Sequence, residues 1–355
     1  MIVAAIENFV IFHTALSLLA FALVVTVRAT TRWAAAASPR VLSRAYGAAV
    51  VAPAAVAAWV VAAALVPPAW LPGSDVAAEH GSHHSVHLIQ ELTVGVEPFV
   101  AYLTVGLVSV GLAAVMLAML RGHRRTAWAI RRLRVTGAPA CDRDKLQILE
   151  QAARRHGVDV AVLRSDRPIS FVTGVGRSTM AVSTGTLRAL SAAQLAGLVE
   201  HELAHHERAD NRLSFALRLV VALSLAAPLT RRLLHWRSEQ VELLCDEIAA
   251  TRTAAPLDIA EALVTLGRAV APGRARAPRL ATAGFIPDDR GALARRVRRL
   301  VELADHLPAA AVSLTPSRRS LATAVLLFGA TLAGLAAWAP LAVHTATESV
   351  LGLLR

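Results

Sequence analysis

The sequence predicts an α-helical membrane protein that crosses the bilayer several times and carries one water-exposed α+β domain. Three observations predict this fold class. The mean hydropathy is +0.51, and 55% of the 355 residues are hydrophobic, more than in most soluble chains. Four uncharged apolar stretches are long enough to cross a membrane. A charged region of about 200 residues separates the third stretch from the fourth.

Each apolar stretch predicts one transmembrane helix. At ~1.5 Å per residue, about 20 helical residues span a hydrocarbon layer of ~30 Å. The four stretches are Asn8 to Val27, Ala48 to Leu71, Pro98 to Leu120, and Leu321 to Val343. The first has no basic segment before it and no clear cleavage site after it, so we expect a retained helix rather than a removed signal peptide.

The distribution of arginine predicts the orientation. The first loop contains four arginines between residues 28 and 44, whereas residues 72–97 contain no Lys or Arg, and residues 121–319 hold most of the 37 basic residues. By the positive-inside rule, both basic regions are cytoplasmic. We therefore expect three transmembrane helices in residues 1–120, a cytoplasmic domain in 121–320, a fourth helix in 321–343 and a short outside tail in 344–355.

Within the cytoplasmic domain, the apolar patterns predict a small sheet followed by helices. Residues 142–156 have helical spacing, and the runs DVAVL, ISFVT and TMAVS are typical of short strands, with TMAVS at an edge of the sheet. Ser191 and Gln194 form a capping box that begins the next helix. A further helix is expected from about Arg231 to Arg252. Residues 271–289 are rich in Pro, Gly and Arg and predict a flexible loop.

The apolar segment from Leu213 to Leu229 is a special case because Arg218 lies inside it. A central arginine costs about 2.5–3.5 kcal/mol on membrane-insertion scales, so a full crossing is not expected. We predict an amphipathic or re-entrant helix that holds the domain against the membrane.

The run VEHELAHHERAD, residues 199–210, contains the motif with the clearest chemical meaning. On a helix, His201 and His205 lie on one face and can bind one Zn²⁺, while Glu202 lies beside them to act on a water molecule. The competing interpretation is a solvated helix in which this spacing arose by chance. Because random placement would give the pattern roughly 0.02 times per chain of this composition, we favour the metal site.

A zinc site of this kind needs a third protein ligand. The run EQVELLCDEIAA supplies four acids, Glu239, Glu242, Asp246 and Glu247. Glu242 and Asp246 are four residues apart on a helix, so one can bind the metal while the other hydrogen-bonds a ligand histidine.

These motifs carry a family resemblance. HELAH followed by ERADN, then Pro228, then ELLCDE, resembles the BlaR/MecR-type membrane zinc metallopeptidases, which have a gluzincin domain between the third and fourth helices. The stretch SFVTGVGRSTMAVSTGTLRALS is similar to HtpX-type membrane proteases. The resemblance implies that Glu242 is the third zinc ligand, that Asp246 hydrogen-bonds a ligand histidine, and that Arg296 matches a motif arginine.

The resemblance also implies an activity and a location. We expect a zinc endopeptidase of the bacterial inner membrane that cleaves a cytoplasmic or membrane-proximal protein in regulatory signalling. Its substrate could be a transcriptional repressor, or the chain itself within residues 271–289. No penicillin-sensing domain follows the last helix, so sensing by acylation is not expected. The alternatives are HtpX-like quality-control proteolysis and a non-catalytic receptor with a zinc-stabilised fold.

Other features have weaker chemical meaning. A donor for the oxyanion of the transition state could be His235, which lies on the helical face of Glu242, or Arg296, which the resemblance implies. Four histidines in residues 80–87 could bind a metal, but no acid or cysteine completes a site there. The net charge of +12 accompanies no nucleic-acid motif, so we expect lipid rather than nucleic acid as the partner of the basic residues. The sequence does not predict an oligomeric state.

Overall fold

The computed structural model describes residues 2–30, 37–65, 98–135, 143–174, 178–269 and 290–306. Within these residues the chain forms ten helices and one three-stranded sheet. The elements are α1 (Ile2–Thr30), α2 (Pro39–Leu65), α3 (Pro98–Leu133), α4 (Arg143–Arg155), β1 (Asp159–Leu163), β2 (Ser170–Thr173), β3 (Thr179–Ser183), α5 (Thr184–Ala189), α6 (Ala192–Glu207), α7 (Asp210–Ala222), α8 (Ala227–Thr253), α9 (Pro256–Ala269) and α10 (Arg290–His306).

The first three helices confirm the first three predicted apolar helices. By length and composition, the segments Asn8–Thr30, Pro39–Val61 and Tyr102–Leu133 could each cross a membrane. Helix α2 begins nine residues before the predicted Ala48, and Leu42 and Tyr46 of its first turns pack in one cluster with Leu233 of α8. The predicted fourth helix, the outside tail, the histidine-rich loop and the loop at 271–289 lie outside the described residues.

The three predicted strands form one mixed sheet in the order β1-β3-β2. Strand β3 pairs parallel with β1 and antiparallel with β2. The prediction that TMAVS is an edge strand was therefore wrong, because TMAVS is β3 and lies in the centre. Its Met180, Ala181 and Val182 are fully buried, as expected for an uncharged strand with a neighbour on each side. The edges of the sheet are β1 and β2.

Helix α6 runs through the main hydrophobic core, which explains why its polar motif is buried. The predicted capping box begins the helix, with Ser191 and Gln194 each bonding to the backbone of the other. Leu195, Leu198 and Leu203 then pack in a core that also includes residues of the sheet, α4, α9 and α10. The polar residues that follow Leu198 are consequently buried, among them Glu200, His201 and Glu202.

Helices α7 and α8 form a hairpin beside the candidate membrane helices. Helix α7 ends at Ala222 and α8 begins at Ala227, so the apolar segment 213–229 is not one continuous helix. At the turn, the backbone N–H of Leu225 donates a 3.1 Å hydrogen bond to Thr14 Oγ1 in α1. The other end of α8 carries the acidic run, and α8 therefore connects the apolar helices to the candidate site.

Candidate metal centre

Helices α6 and α8 bring two histidines and one glutamate together. The Nε2 atom of His201 lies 3.5 Å from Glu242 Oε2, and the Nε2 atom of His205 lies 3.5 Å from Glu242 Oε1. Ligand atoms of the three residues all lie within 4.8 Å of one another. The structure thus gathers the three residues that the sequence predicts as metal ligands.

The other ring nitrogen of each histidine faces a buried acid. His201 Nδ1 lies 2.8 Å from Asp246 Oδ1, and His205 Nδ1 lies 3.3 Å from Asp210 Oδ2. Such carboxylates fix the orientation of an imidazole and leave its Nε2 atom to bind a metal. Two imidazoles and one carboxylate, oriented in this way, fit the ligand set of a catalytic Zn²⁺.

Arg296 in α10 binds two acids of this cluster. Its Nε and Nη2 atoms each donate a 2.6 Å hydrogen bond to Asp246, and its Nη1 atom lies 3.1 Å from Glu242 Oε2. Burial alone would raise the pKa of Asp246, but Arg296 and His201 hold it below its ordinary value. In the same way His205, His201 and Arg296 overcome the effect of burial and hold the pKa of Glu242 well below its usual range.

Glu202 lies on α6 between the two histidines and is 2% exposed. Its Oε1 atom has no hydrogen-bond partner among the described residues. Burial raises the pKa of its carboxyl group, although His201, His205 and Ser170 of β2 act in the opposite direction. A buried carboxylate with an uncommitted oxygen beside a metal-binding cluster can accept a proton from water.

The competing acids on α8 are engaged elsewhere. Glu239 pairs with Arg295 at 2.5 Å, and Glu247 pairs with Arg299 at 2.8 Å. Within the described part of the chain, Glu242 is the acid that joins both histidines in a cluster of metal-binding geometry.

The two predicted oxyanion donors have different surroundings. The side chain of His235 is 69% exposed, and its Nε2 atom lies 3.6 Å from Glu239 Oε1. It is on the predicted helical face, but seven residues place it about 10 Å along the helix from Glu242. The structure therefore does not bring His235 into the cluster. Arg296 is in the cluster, and its guanidinium group holds Asp246 and Glu242.

Sequence reasoning assigned no role to Asp210 and Cys245. Asp210 begins α7, and the turn before it places Ala209 in the left-handed region with φ of 52°. This turn brings Asp210 back to His205. Cys245 is fully buried, and its Sγ atom lies 3.5 Å from His205 Nδ1. Cys245 could have been found from the sequence, since it is three residues after Glu242 and lies on the same face of α8.

Comparisons with known proteins agree with this geometry over part of the chain. Residues 143–269 match the sequence profile of Peptidase family M48. A protein named "Protease HtpX homolog" from Listeria innocua serovar 6a is 33% identical over 82 residues, which are 22% of this chain and 27% of the relative. A protein of the same name from Listeria monocytogenes serotype 4b is 32% identical over 82 residues, again 22% and 27% of the two chains. This chain thus spans about a quarter of the length of these curated relatives.

A solved structure, the crystal structure of S. mikatae Ste24p, is also similar. It is 14% identical, with 64% of each chain covered and a TM-score of 0.29, a likeness too weak to support an argument. The profile match shows that residues 143–269 are similar to peptidases of family M48, and three helices of the described part are long and apolar enough to cross a membrane. The BlaR/MecR-type assignment stays a prediction.

Proposed function

We propose that this protein is a zinc-dependent endopeptidase that hydrolyses peptide bonds of proteins at a membrane. The observation that supports the proposal best is the position of Glu202, buried beside the cluster of His201, His205 and Glu242. A non-catalytic receptor with a zinc-stabilised fold would need the ligands, but it would not need a buried carboxylate with an uncommitted oxygen beside them.

Different residues of the site have different roles in hydrolysis. A Zn²⁺ ion held by His201, His205 and Glu242 would supply a Lewis acid that polarises the scissile carbonyl and makes water more acidic. Glu202 takes a proton from the attacking water and returns it to the amine that leaves when the C–N bond breaks. Asp246 and Asp210 keep the imidazoles in the orientation that this reaction requires.

The substrate is best placed along strand β2. This strand is an edge of the sheet, and its first residue, Ser170, lies close to the carboxyl group of Glu202. An extended segment of a protein could pair with an edge strand through its backbone. Asn211 already binds one carbonyl of this strand, that of Val172, at 3.1 Å. A paired substrate would therefore use the remaining backbone groups of β2 and pass beside Glu202.

We infer from the arginine distribution that the site faces the cytoplasm of a bacterial inner membrane. The predicted re-entrant segment is compatible with the α7/α8 hairpin, whose turn contacts Thr14 in α1. A reporter fused after Glu247 should be active in the cytoplasm. Activity of that reporter on the outside would overturn the orientation.

Two biological roles differ in the number of proteins that are cleaved. The resemblance to BlaR/MecR-type proteins supports regulatory cleavage of one protein, such as a repressor, and self-cleavage within 271–289, outside the described residues. The two relatives named as HtpX protease homologues support quality-control proteolysis instead. Peptide abundance in membranes distinguishes them: regulation predicts one or a few discrete fragments, and quality control predicts many fragments from damaged proteins.

The central test compares Glu202→Gln with Glu207→Gln on the same helix. Glu207 is partly exposed and pairs with Arg252 at 2.6 Å, away from the cluster. We expect Glu202→Gln to keep its zinc and to lose activity on an unfolded protein substrate by about 10²–10⁴-fold. Glu207→Gln should keep both zinc and activity. Full activity in Glu202→Gln would disprove the mechanism, and fragments that persist in this variant would come from another protease.

A further inference from the structure

A cluster of aromatic and cationic side chains joins α1, α2 and α8. The Cζ atom of Arg28 lies 4.3 Å from the centroid of the Trp236 ring, and that of Arg232 lies 5.8 Å from the same ring. Phe21 stacks on Trp236 with centroids 6.2 Å apart, and Tyr46 lies 5.9 Å from it. One indole ring therefore gathers two guanidinium groups from two separate helices.

The cluster lies at the border of the candidate membrane spans. Arg28 is in the last turn of the span Asn8–Thr30, and Tyr46 is near the beginning of the span Pro39–Val61. Tryptophan and arginine are common at this level, where an aromatic ring meets lipid chains and a cation meets the headgroups. In a membrane crossed by these two spans, the guanidinium groups beside Trp236 would lie at the level of the lipid headgroups.

Neither of the two arginines has an acidic partner among the described residues. No ion pair among the described residues includes Arg28 or Arg232, and Arg28 donates a hydrogen bond only to the neutral hydroxyl of Tyr46. Two like charges on one ring repel each other, and the repulsion is screened less next to hydrocarbon than in water. An anion between them would remove the repulsion, and a phosphate can accept hydrogen bonds from both guanidinium groups.

We propose that Arg28, Arg232 and Trp236 form a binding site for the headgroup phosphate of one anionic phospholipid. The bound lipid connects α1 to α8, the helix that carries Glu242 six residues, or about 9 Å, beyond Trp236. A ligand that binds only the folded arrangement stabilises it. The lipid therefore stabilises the contact between the membrane helices and the helix of the metal cluster.

Helix α3 offers a matched control for this site. The Cζ atom of Arg132 lies 5.1 Å from the ring of Trp128. Both side chains are exposed. Among the described residues, Arg132 is the one arginine that stacks on this ring. This pair has the same chemistry as Arg28 and Trp236, but it lacks the second cation that would form a phosphate site.

The test uses the full-length protein, stripped of lipid in neutral detergent and titrated with phosphatidylglycerol or phosphatidylcholine under native mass spectrometry. We expect Arg28→Gln and Arg232→Gln each to lower the affinity for the first bound phosphatidylglycerol by about fivefold, as ~1 kcal/mol per basic residue implies. The double variant should lower this affinity by about 25-fold. Arg132→Gln should change it by less than about twofold. Arg28→Lys should weaken binding less than Arg28→Gln does, because the charge remains although the planar guanidinium group is lost.

A second measurement locates the site in the wild-type protein, so that the proposal is tested even if a variant does not fold. In nanodiscs, phosphatidylglycerol should slow backbone hydrogen exchange in residues 21–30 and 228–240 more than phosphatidylcholine does. Residues 124–133 should show no such difference. Equal affinities for the two lipids, equal effects of Arg132→Gln and Arg232→Gln, or protection at 124–133 would overturn the proposal.

Discussion

Replacing Arg296 by glutamine tests how the cluster of His201, His205 and Glu242 is held together. Arg296 is 2% exposed and makes two 2.6 Å hydrogen bonds to Asp246. It also lies 3.1 Å from Glu242. Without it, the buried carboxylate of Asp246 and the partly buried carboxylate of Glu242 lose this cation. Breaking a buried ion pair on one side costs about 3–5 kcal/mol, because the remaining charge stays desolvated.

The neighbouring Arg295 provides the comparison. Its side chain is 49% exposed and pairs with Glu239, and exposed pairs contribute about 0–1 kcal/mol. Each kcal/mol of lost stability lowers the midpoint of thermal unfolding by about 2–4 °C. We therefore expect Arg296→Gln to lower this midpoint by roughly 6–20 °C and Arg295→Gln by less than about 4 °C.

The assay is thermal unfolding in detergent after the metal has been removed with a chelator, so that loss of zinc does not add to the shift. Asp246→Asn in the Arg296→Gln background should recover part of the stability, because it removes one uncompensated charge. Equal shifts for Arg295→Gln and Arg296→Gln would refute the reasoning. If Arg296→Gln keeps its stability and zinc but loses turnover, Arg296 is the oxyanion donor that the sequence predicts.

Two other predictions concern the metal and the core. Glu242→Gln should lose zinc by elemental analysis of the purified protein, while Glu239→Gln and Glu247→Gln should keep it; the reverse pattern would assign a different third ligand. Gly197→Ala should destabilise the protein by about 1–3 kcal/mol in thermal unfolding, because its methyl group would lie 2.5 Å from Ile259 Cγ1. Ile259→Ala should destabilise the Gly197→Ala protein less than it destabilises wild type, and equal effects in both would contradict this contact.

The parts of the site that lie on one helix were accessible from the sequence. His201, Glu202 and His205 are within one turn and a half of α6, so their spacing alone places them on neighbouring positions. The local sequence was not enough to select Glu242 as the third metal ligand, because four acids of α8 satisfy the same local rules. Only the tertiary structure shows that Arg295 and Arg299 bind two of the others.

The parts that local patterns could not provide depend on long-range packing. TMAVS has the composition of a strand, but its central position depends on β2 folding back as an antiparallel neighbour. Arg296 lies 50 residues from Asp246 in the sequence, and its contact follows from the packing of α10 on α8. Asp210 reaches His205 through a left-handed residue, Ala209, which is a conformation that alanine rarely adopts and that no local preference predicts.

The surroundings of Asp210 lead to the last prediction, because they connect a candidate membrane helix to a predicted zinc ligand. Arg237 of α8 is 5% exposed, and its Nη2 atom lies 3.4 Å from Asp210 Oδ1. The side chain of Arg237 also lies against Gly47 in α2, where an added methyl group would be 3.7 Å from Arg237 Nε. Because Asp210 orients His205, Arg237 is a positioning residue for that imidazole.

Arg237→Gln should therefore weaken zinc binding by about 10–100-fold, the usual effect of losing a group that orients a metal ligand. Arg208 provides the matched control: it also binds Asp210, at 3.0 Å, but its side chain is 26% exposed and water can replace it. We expect Arg208→Gln to change the affinity by less than about fivefold, because water can take the place of this partly exposed guanidinium group beside Asp210. Arg237→Lys should recover part of the affinity by keeping the charge beside Asp210. The affinities are measured by competition with a chromophoric chelator, and equal losses in Arg208→Gln and Arg237→Gln would show that burial of the cation against α2 has no part in holding His205.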